Sequence, residues 1–167
     1  MIYDKNSTCC FTGHRELPVQ LLGKISSAIS SEATRLYTEN SVRNFITGGA
    51  VGFDLLAAET LIGMRFFFKD IRLILALPCE YHYSKWSENE KQRFFNIAES
   101  ADETVYVTRK YENGCMLRRD RFMVDVSRYC ISYCVRRAGG TYYTVRYAYK
   151  NNLDVTEISE IIRHRAE

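Results

Sequence analysis

The segment Arg43-Asn44-Phe45-Ile46-Thr47-Gly48-Gly49-Ala50-Val51-Gly52-Phe53-Asp54 decides the fold. Arg43–Thr47 is a short run of branched and aromatic residues that predicts a strand, paired glycines follow, and residues 52–67 carry Leu55, Leu56, Ala58, Leu61 and Ile62 at helical intervals. A strand, a glycine turn and a helix in that order let backbone N–H groups and a helix N-terminus converge on an anion, because glycine permits close approach and positive φ. The same junction recurs at Thr12-Gly13-His14-Arg15 and at Ala138-Gly139-Gly140-Thr141. Three such turns point to a phosphate-bearing ligand.

Further strand-like runs lie at Thr8–Thr12, Ile71–Leu77, Glu103–Val107 and Tyr129–Val135. Helix-like stretches lie between them at Pro18–Glu39, with Pro18 suited to a first turn, and at Ser84–Ala101, Met116–Arg128 and Thr141–Asn151. The tail adds an edge strand at Val155–Glu157 and a helix at Ile158–Arg165. This alternation predicts an α/β fold: a Rossmann-like three-layer sandwich with a mostly parallel sheet of five or six strands and helices on both faces. At 167 residues, with two prolines and nine glycines, the chain reads as one domain over 1–167, its core at about 8–157. Ligands of open parallel sheets bind outside the carboxyl ends of the strands, near the reversal of strand order, so the three turns can share one crevice.

Composition narrows the function only slightly. Hydrophobic content of 46%, 26% charged residues and a net charge of +3 fit a soluble globular protein and fall short of the basic balance that signals nucleic acid on its own. The clusters Arg118-Arg119-Asp120-Arg121, Arg136-Arg137 and Arg163-His164-Arg165 read as solvated faces. Cys9, Cys10, Cys79, Cys115, Cys130 and Cys134 form no C-x-x-C pair and no zinc-ligand spacing, so reduced thiols and no metal are expected. Cys10, Cys130 and Cys134 fall in predicted strands as small buried hydrophobes. Met1–Asn6 carries no secretory pattern, and Lys69, Asp70 and Arg72 interrupt the longest apolar run, so a cytoplasmic protein without a membrane span is expected.

Within the first turn, Gly13 allows a tight exit from the strand, His14 can donate or accept near neutral pH, and Arg15 offers a fork for phosphate. A surface loop in which His14 caps a helix is the alternative. In the second turn, Asp54 either binds a ribose hydroxyl or ligand amine, or complements the positive end of the helix dipole. Glu59 is a catalytic candidate whose neighbours Ala57 and Ala58 favour a structural role. Gly139, Gly140 and Thr141 are the strongest phosphate candidates, with Thr141 also suited to capping the helix.

The pieces Cys10-Phe11-Thr12-Gly13-His14-Arg15, Ile46–Asp54 with Ala57-Ala58-Glu59, Leu77-Pro78 leading to Trp86, and Arg119 through Met123-Val124-Asp125 and Ser127 to Gly139-Gly140-Thr141 resemble, in this order, the SLOG superfamily. Within it the chain looks like the YpsA-like branch, related to DNA-processing protein A and the LOG-type phosphoribohydrolases. The resemblance implies a nucleotide or nucleotide-derived ligand, with Gly13, Gly48, Gly49, Gly139, Gly140 and Thr141 as contacts, and Arg15 and Arg119 neutralising phosphate. It makes Arg119, Asp54 and Glu59 the catalytic candidates. The LOG-type enzymes follow the last turn at once with glutamates, whereas here Tyr142-Tyr143-Thr144 follows, and cleavage of a glycosidic bond ordinarily uses a carboxylate.

The favoured expectation is therefore a sensing or regulatory protein that binds a nucleotide or nucleotide-derived ligand, a dinucleotide-type ligand included. The alternatives are a phosphoribohydrolase-like N-glycosidase and a binder of single-stranded nucleic acid. Glu80, His82 and Trp86 could stack a base, although a Trp at a loop–helix junction more often anchors packing. Tyr142, Tyr143, Tyr147 and Tyr149 with Arg146 read as a stacking surface or as packing against a partner, and a homo-oligomer is compatible with the sequence.

Overall fold

The computed structural model describes residues 3–167; Met1 and Ile2, part of the start inspected for a leader, lie outside the described residues. Six strands, β1 (Thr8–Gly13), β2 (Asn44–Thr47), β3 (Arg72–Leu77), β4 (Glu103–Tyr106), β5 (Tyr129–Tyr133) and β6 (Asp154–Glu157), form one sheet in the order β4-β3-β2-β1-β5-β6. Every pairing is parallel, as between β1 and β5, where Cys10 lies opposite Cys130 and Gly13 opposite Tyr133. The helices are α1 (Leu22–Asn40), α2 (Phe53–Met64), α3 (Glu88–Ser100), α4 (Cys115–Asp125), α5 (Gly139–Lys150) and α6 (Ile158–Arg165).

Burial explains why the strands read as they do. Every residue of β2 and β5 is buried, and so are all but one of β1 and β3, because helices cover both faces of a parallel sheet. The outer strand β4 alternates between half-buried and exposed, which leaves Glu103 and Thr104 tolerable there. On one face, α1, α2, α3 and α6 pack around Phe11, Phe45, Phe53, Leu61 and Ile158. On the other, α4 and α5 pack around Cys10, Ile46, Met123, Val124 and Ala148. In α1 the buried side chains Ile25, Ala28, Ile29, Ala33 and Leu36 recur at three- and four-residue steps, the stripe of a helix with one dry face.

Several boundaries move for local reasons. Pro18 has an extended backbone and precedes a single 3-10 turn at Val19–Leu21, so α1 starts only at Leu22. The stretch Ser84–Ser87 stays outside α3, because Ser87 caps that helix: its hydroxyl accepts from the Glu90 N–H and the Glu90 carboxylate accepts from the Ser87 N–H, both at 3.2 Å. Cys134 lies just past β5 and is half-buried, unlike Cys10 and Cys130 within their strands.

Strands β1 to β4 step outward in one direction, and α4 then returns the chain to place β5 on the far side of β1. The strand order therefore reverses between β1 and β5. At the carboxyl ends of these two strands, the first and third glycine turns stand side by side.

Candidate functional site

The first two turns are bonded to each other. The Phe53 N–H donates to the His14 carbonyl at 3.1 Å, and a Cβ on Gly13 would stand 2.2 Å from the Phe53 ring. Gly52, with φ +80°, lies so close to the Arg15 backbone that a Cβ there would sit 2.2 Å from its carbonyl oxygen. His14 is buried, and its Nε2 accepts from the Val135 N–H at 2.9 Å, which ties the first turn to the loop before α5. That bond fixes the ring proton on Nδ1. Burial, with Arg136 nearby, lowers the His14 pKa and keeps the ring neutral. His14 thus secures a neighbouring loop instead of capping a helix.

The second turn is packed from every side. Arg119 is buried on α4; its Nη1 donates to the Gly48 carbonyl and its Nε to Asp120 Oδ1 at 2.6 Å. The Ala50 N–H donates to Asp54 Oδ2 at 3.2 Å, and the Thr47 hydroxyl donates to the Asp54 carbonyl at 3.2 Å. A Cβ on Gly48 would stand 2.7 Å from both Arg119 Nη1 and Asp54 Oδ2, and one on Gly49 would stand 2.6 Å from Leu77. His82 Nε2 donates to the Gly49 carbonyl at 3.1 Å, and burial drives its pKa down to about 4. His82 and Trp86 meet edge to face at 5.1 Å between ring centres and both pack on Phe94, so His82 clamps the second turn and Trp86 anchors the packing of this loop.

Asp54 is the most perturbed carboxylate at the site. Burial raises its pKa from 3.8 to about 6 despite the opposing pull of Arg119 and the Ala50 N–H. Its bond to the Ala50 N–H belongs to the helix-terminus reading, yet the side chain also lines the cleft described below, so both readings of Asp54 remain compatible with its position.

The third turn is open. Helix α5 begins at Gly139 itself after Ala138, and no side chain caps it, which corrects the capping role expected of Thr141: that residue already lies within the first helical turn. Gly139 has φ +89°, and a Cβ on either Gly139 or Gly140 would meet nothing within 4 Å. The first N–H groups of a helix lack partners inside it.

Turns one and three, the N-terminal half of α4 and Asp54 enclose a cleft of about 610 Å³ at the β1/β5 reversal. Of the expected residues, Gly13, His14, Arg15, Asp54, Arg119, Gly139, Gly140 and Thr141 line it. Gly48 and Gly49 do not; they lie behind Ala50, and Gly48 reaches the site only through Arg119. Glu59 is elsewhere: it holds Arg93 through two bonds of 2.8 and 3.0 Å between α2 and α3, and lines a separate hollow. Glu59 thus stands apart from the cleft that gathers Asp54 and Arg119.

The sequence reading missed Arg136, Met116 and Leu117. Arg136 is exposed at the mouth of the cleft, where it joins Arg15; Met116 and Leu117 form an apolar wall. The signal for Arg136 was its place between the end of a strand and a glycine turn, which a charge count over the cluster does not register. Against these cations stand the carboxylates of Glu16, Asp54 and Asp120. The arrangement can hold an anion at the mouth and a carboxylate-reading group deeper in. Among the described residues there is no group of three His, Cys, Asp or Glu side chains placed to hold a metal ion, and no helix long and apolar enough to cross a membrane.

A model of the YspA SLOG family matches residues 9–161. A UPF0398 protein of Staphylococcus haemolyticus is 32% identical over 92 residues, which cover 53% of this chain and 49% of that protein. The SPbeta prophage-derived protein YoqJ of Bacillus subtilis is 24% identical over 142 residues, 78% of this chain and 83% of that protein. The chain spans about half the length of the first curated relatives it matches. Among solved structures, DNA processing protein A from Helicobacter pylori superposes with a TM-score of 0.65 at 16% identity, covering 98% of this chain and 74% of that one. The Streptococcus pneumoniae protein of the same name gives 0.61 at 14% identity over 89% and 48% of the two chains. At these identities the likeness is one of fold.

Proposed function

The chain belongs to the YspA SLOG family, and we propose that it binds a nucleotide or nucleotide-derived ligand in the cleft at the β1/β5 reversal, as a sensor and not as a hydrolase. One observation carries the reading: the uncapped first turn of α5, with open space over Gly139 and Gly140, faces the same cavity as the Arg15, Arg119 and Arg136 guanidiniums. Backbone N–H groups at a helix start and forked cations are complementary to a phosphate. Arg119 acts mainly by holding the Gly48 carbonyl and Asp120, so Arg15 and Arg136 supply the mobile positive charge. Asp54, at the rear, suits a sugar hydroxyl or a base amine. Tyr142 and Tyr143 occupy the places directly after the third turn, where the LOG-type enzymes carry glutamates, and Glu59 lies outside the cleft, held by Arg93; this favours binding over glycosidic cleavage, which ordinarily uses a carboxylate placed at the scissile bond.

A thermal-shift screen over nucleoside mono-, di- and triphosphates tests this, because a ligand that binds only the folded chain raises its apparent stability. At least one compound should raise the melting temperature, with a smaller rise in Arg15→Ala/Arg136→Ala and no free base released on prolonged incubation. No shift with any phosphate-bearing compound would overturn the reading; release of base would replace it with the hydrolase.

A second reading takes its support from the fold. The Helicobacter pylori neighbour is described by its single-stranded DNA binding mode, and this chain shares its architecture. Single-strand binding here requires an affinity that falls steeply with salt. Absent or salt-insensitive binding of an oligonucleotide removes this reading and leaves the first.

A further inference from the structure

A second and larger opening, of about 920 Å³, lies on the other side of the start of α5, between that helix, the ends of β5 and β6, and α6. It shares Arg136 with the first cleft. Its cationic side chains include Lys24, Arg137 and Arg146, none of which is paired with a carboxylate among the described residues. Most arginines away from the two openings do hold a carboxylate, such as Arg35, Arg43, Arg65, Arg72 and Arg93. The carboxylates in the groove are already engaged: Glu157 accepts from the Tyr149 hydroxyl at 2.9 Å, and Glu160 is held by Arg163. Its walls are the rings of Tyr142 and Tyr149 with Val145 and Ile162. Flat rings beside unpaired guanidiniums suit a base and a phosphate together.

Resting on the reading that the first cleft takes a nucleotide, we infer that the ligand has two nucleoside units joined through phosphate. One unit sits in the β1/β5 cleft, the second lies along Tyr142 and Arg146, and the linking phosphate is bound at Arg136, the residue common to both openings. The shared chemistry belongs equally to a free dinucleotide and to the end of a single strand. A mononucleotide fills only half of this surface.

The test compares three probes by calorimetry or fluorescence anisotropy: nucleoside 5′-monophosphates, the corresponding phosphate-linked dinucleotides, and a labelled single strand of a dozen nucleotides. Each is titrated into the parent chain and into Arg137→Ala/Arg146→Ala, whose exposed side chains make no hydrogen bond or ion pair among the described residues, with matching melting temperatures required first. The dinucleotide should bind the parent about tenfold tighter or more than the mononucleotide, since the second unit binds at a high local concentration. The double variant should erase that gain and leave mononucleotide affinity unchanged. A gain already complete with the dinucleotide identifies a free small ligand; a further salt-sensitive gain with the strand identifies a nucleic acid end. Equal affinities for mononucleotide and dinucleotide, or a gain that survives the double variant, overturn the inference while the nucleotide reading stands. If none of the probes binds, both fall.

Discussion

At Gly48-Gly49 the backbone is enclosed by Arg119, Asp54, Leu77 and His82; at Gly139-Gly140 it looks into open space. Both pairs come after a buried parallel strand; the first stands before α2 and the second opens α5. At the first pair glycine is there because other protein atoms already occupy the position of a side chain. At the second, nothing of the protein does, which is the condition for a ligand to come close. The difference separates a turn packed into the body of the protein from a turn left open over the cleft.

The packed side breaks most severely at Gly52, which belongs to the same turn as Gly48. An alanine there would place Cβ 2.2 Å from the Arg15 carbonyl oxygen at a φ of +80°, so backbone must move against backbone in a conformation that L side chains avoid. Gly52→Ala should cost about 3 kcal/mol or more, or prevent folding altogether. Urea denaturation monitored by circular dichroism reads this, and a loss below about 1 kcal/mol would show that the first two turns are not held together as described.

Arg119 is the next most costly. Truncating it leaves the buried Gly48 carbonyl without this donor, Asp120 without its ion pair, and buried Asp54 without the stronger of its two neighbouring cations. Arg119→Ala should lose about 2–4 kcal/mol of stability. Arg119→Lys should recover only part of it, since one ammonium cannot reproduce the fork. A variant of unchanged stability with lost phosphate affinity would instead make Arg119 a direct ligand.

Asp54 sharpens the same boundary through pH. Its folded-state pKa of about 6 exceeds the ordinary 3.8, so between these values the folded chain retains a proton that the unfolded chain has released. Stability therefore falls as pH rises through this window and levels off above it, by on the order of 3 kcal/mol in all. Asp54→Asn should remove that slope: relative to the parent, the variant gains stability from pH 4 to pH 6.5. A constant difference across the window would contradict a buried, proton-retaining carboxylate.

How far the sequence carried follows from what its signals measure. The continuous burial of β1, β2, β3 and β5 makes each strand a solid apolar run, so the alternation with helices, and with it the parallel fold, was readable. Gly13, Arg15, Asp54 and Gly139–Thr141 were readable as cleft residues because the ends of adjacent parallel strands must stand together. For Glu59 the neighbouring Ala57 and Ala58 favoured a structural role, but its partner was not legible, because helical periodicity does not say which neighbour a half-exposed carboxylate meets, and Arg93 comes from a helix 34 positions later. Arg136 was missed for the complementary reason: whether an arginine is paired depends on where carboxylates fall in space. The roles of His14 and His82 as clamps on backbone groups leave no mark at all in the one-dimensional chain.

The smallest effect on stability belongs to Gly140, and it decides most about the open turn. A Cβ at this position meets no atom within 4 Å, its φ is not in the left-handed region, and the residue lies in the first turn of α5. Alanine restricts the unfolded chain and favours helix, so Gly140→Ala should leave the fold intact and stabilise it by about 0.5–1 kcal/mol. The same methyl projects into the space over the helix start that a phosphate would use. Ligand affinity should then fall by about tenfold while melting temperature rises slightly, a divergence that packing alone cannot produce. Loss of stability with Gly140→Ala would mean that this turn too is enclosed. Unchanged affinity for a nucleotide that still depends on Arg136 would move the phosphate off the helix start and toward the guanidiniums alone.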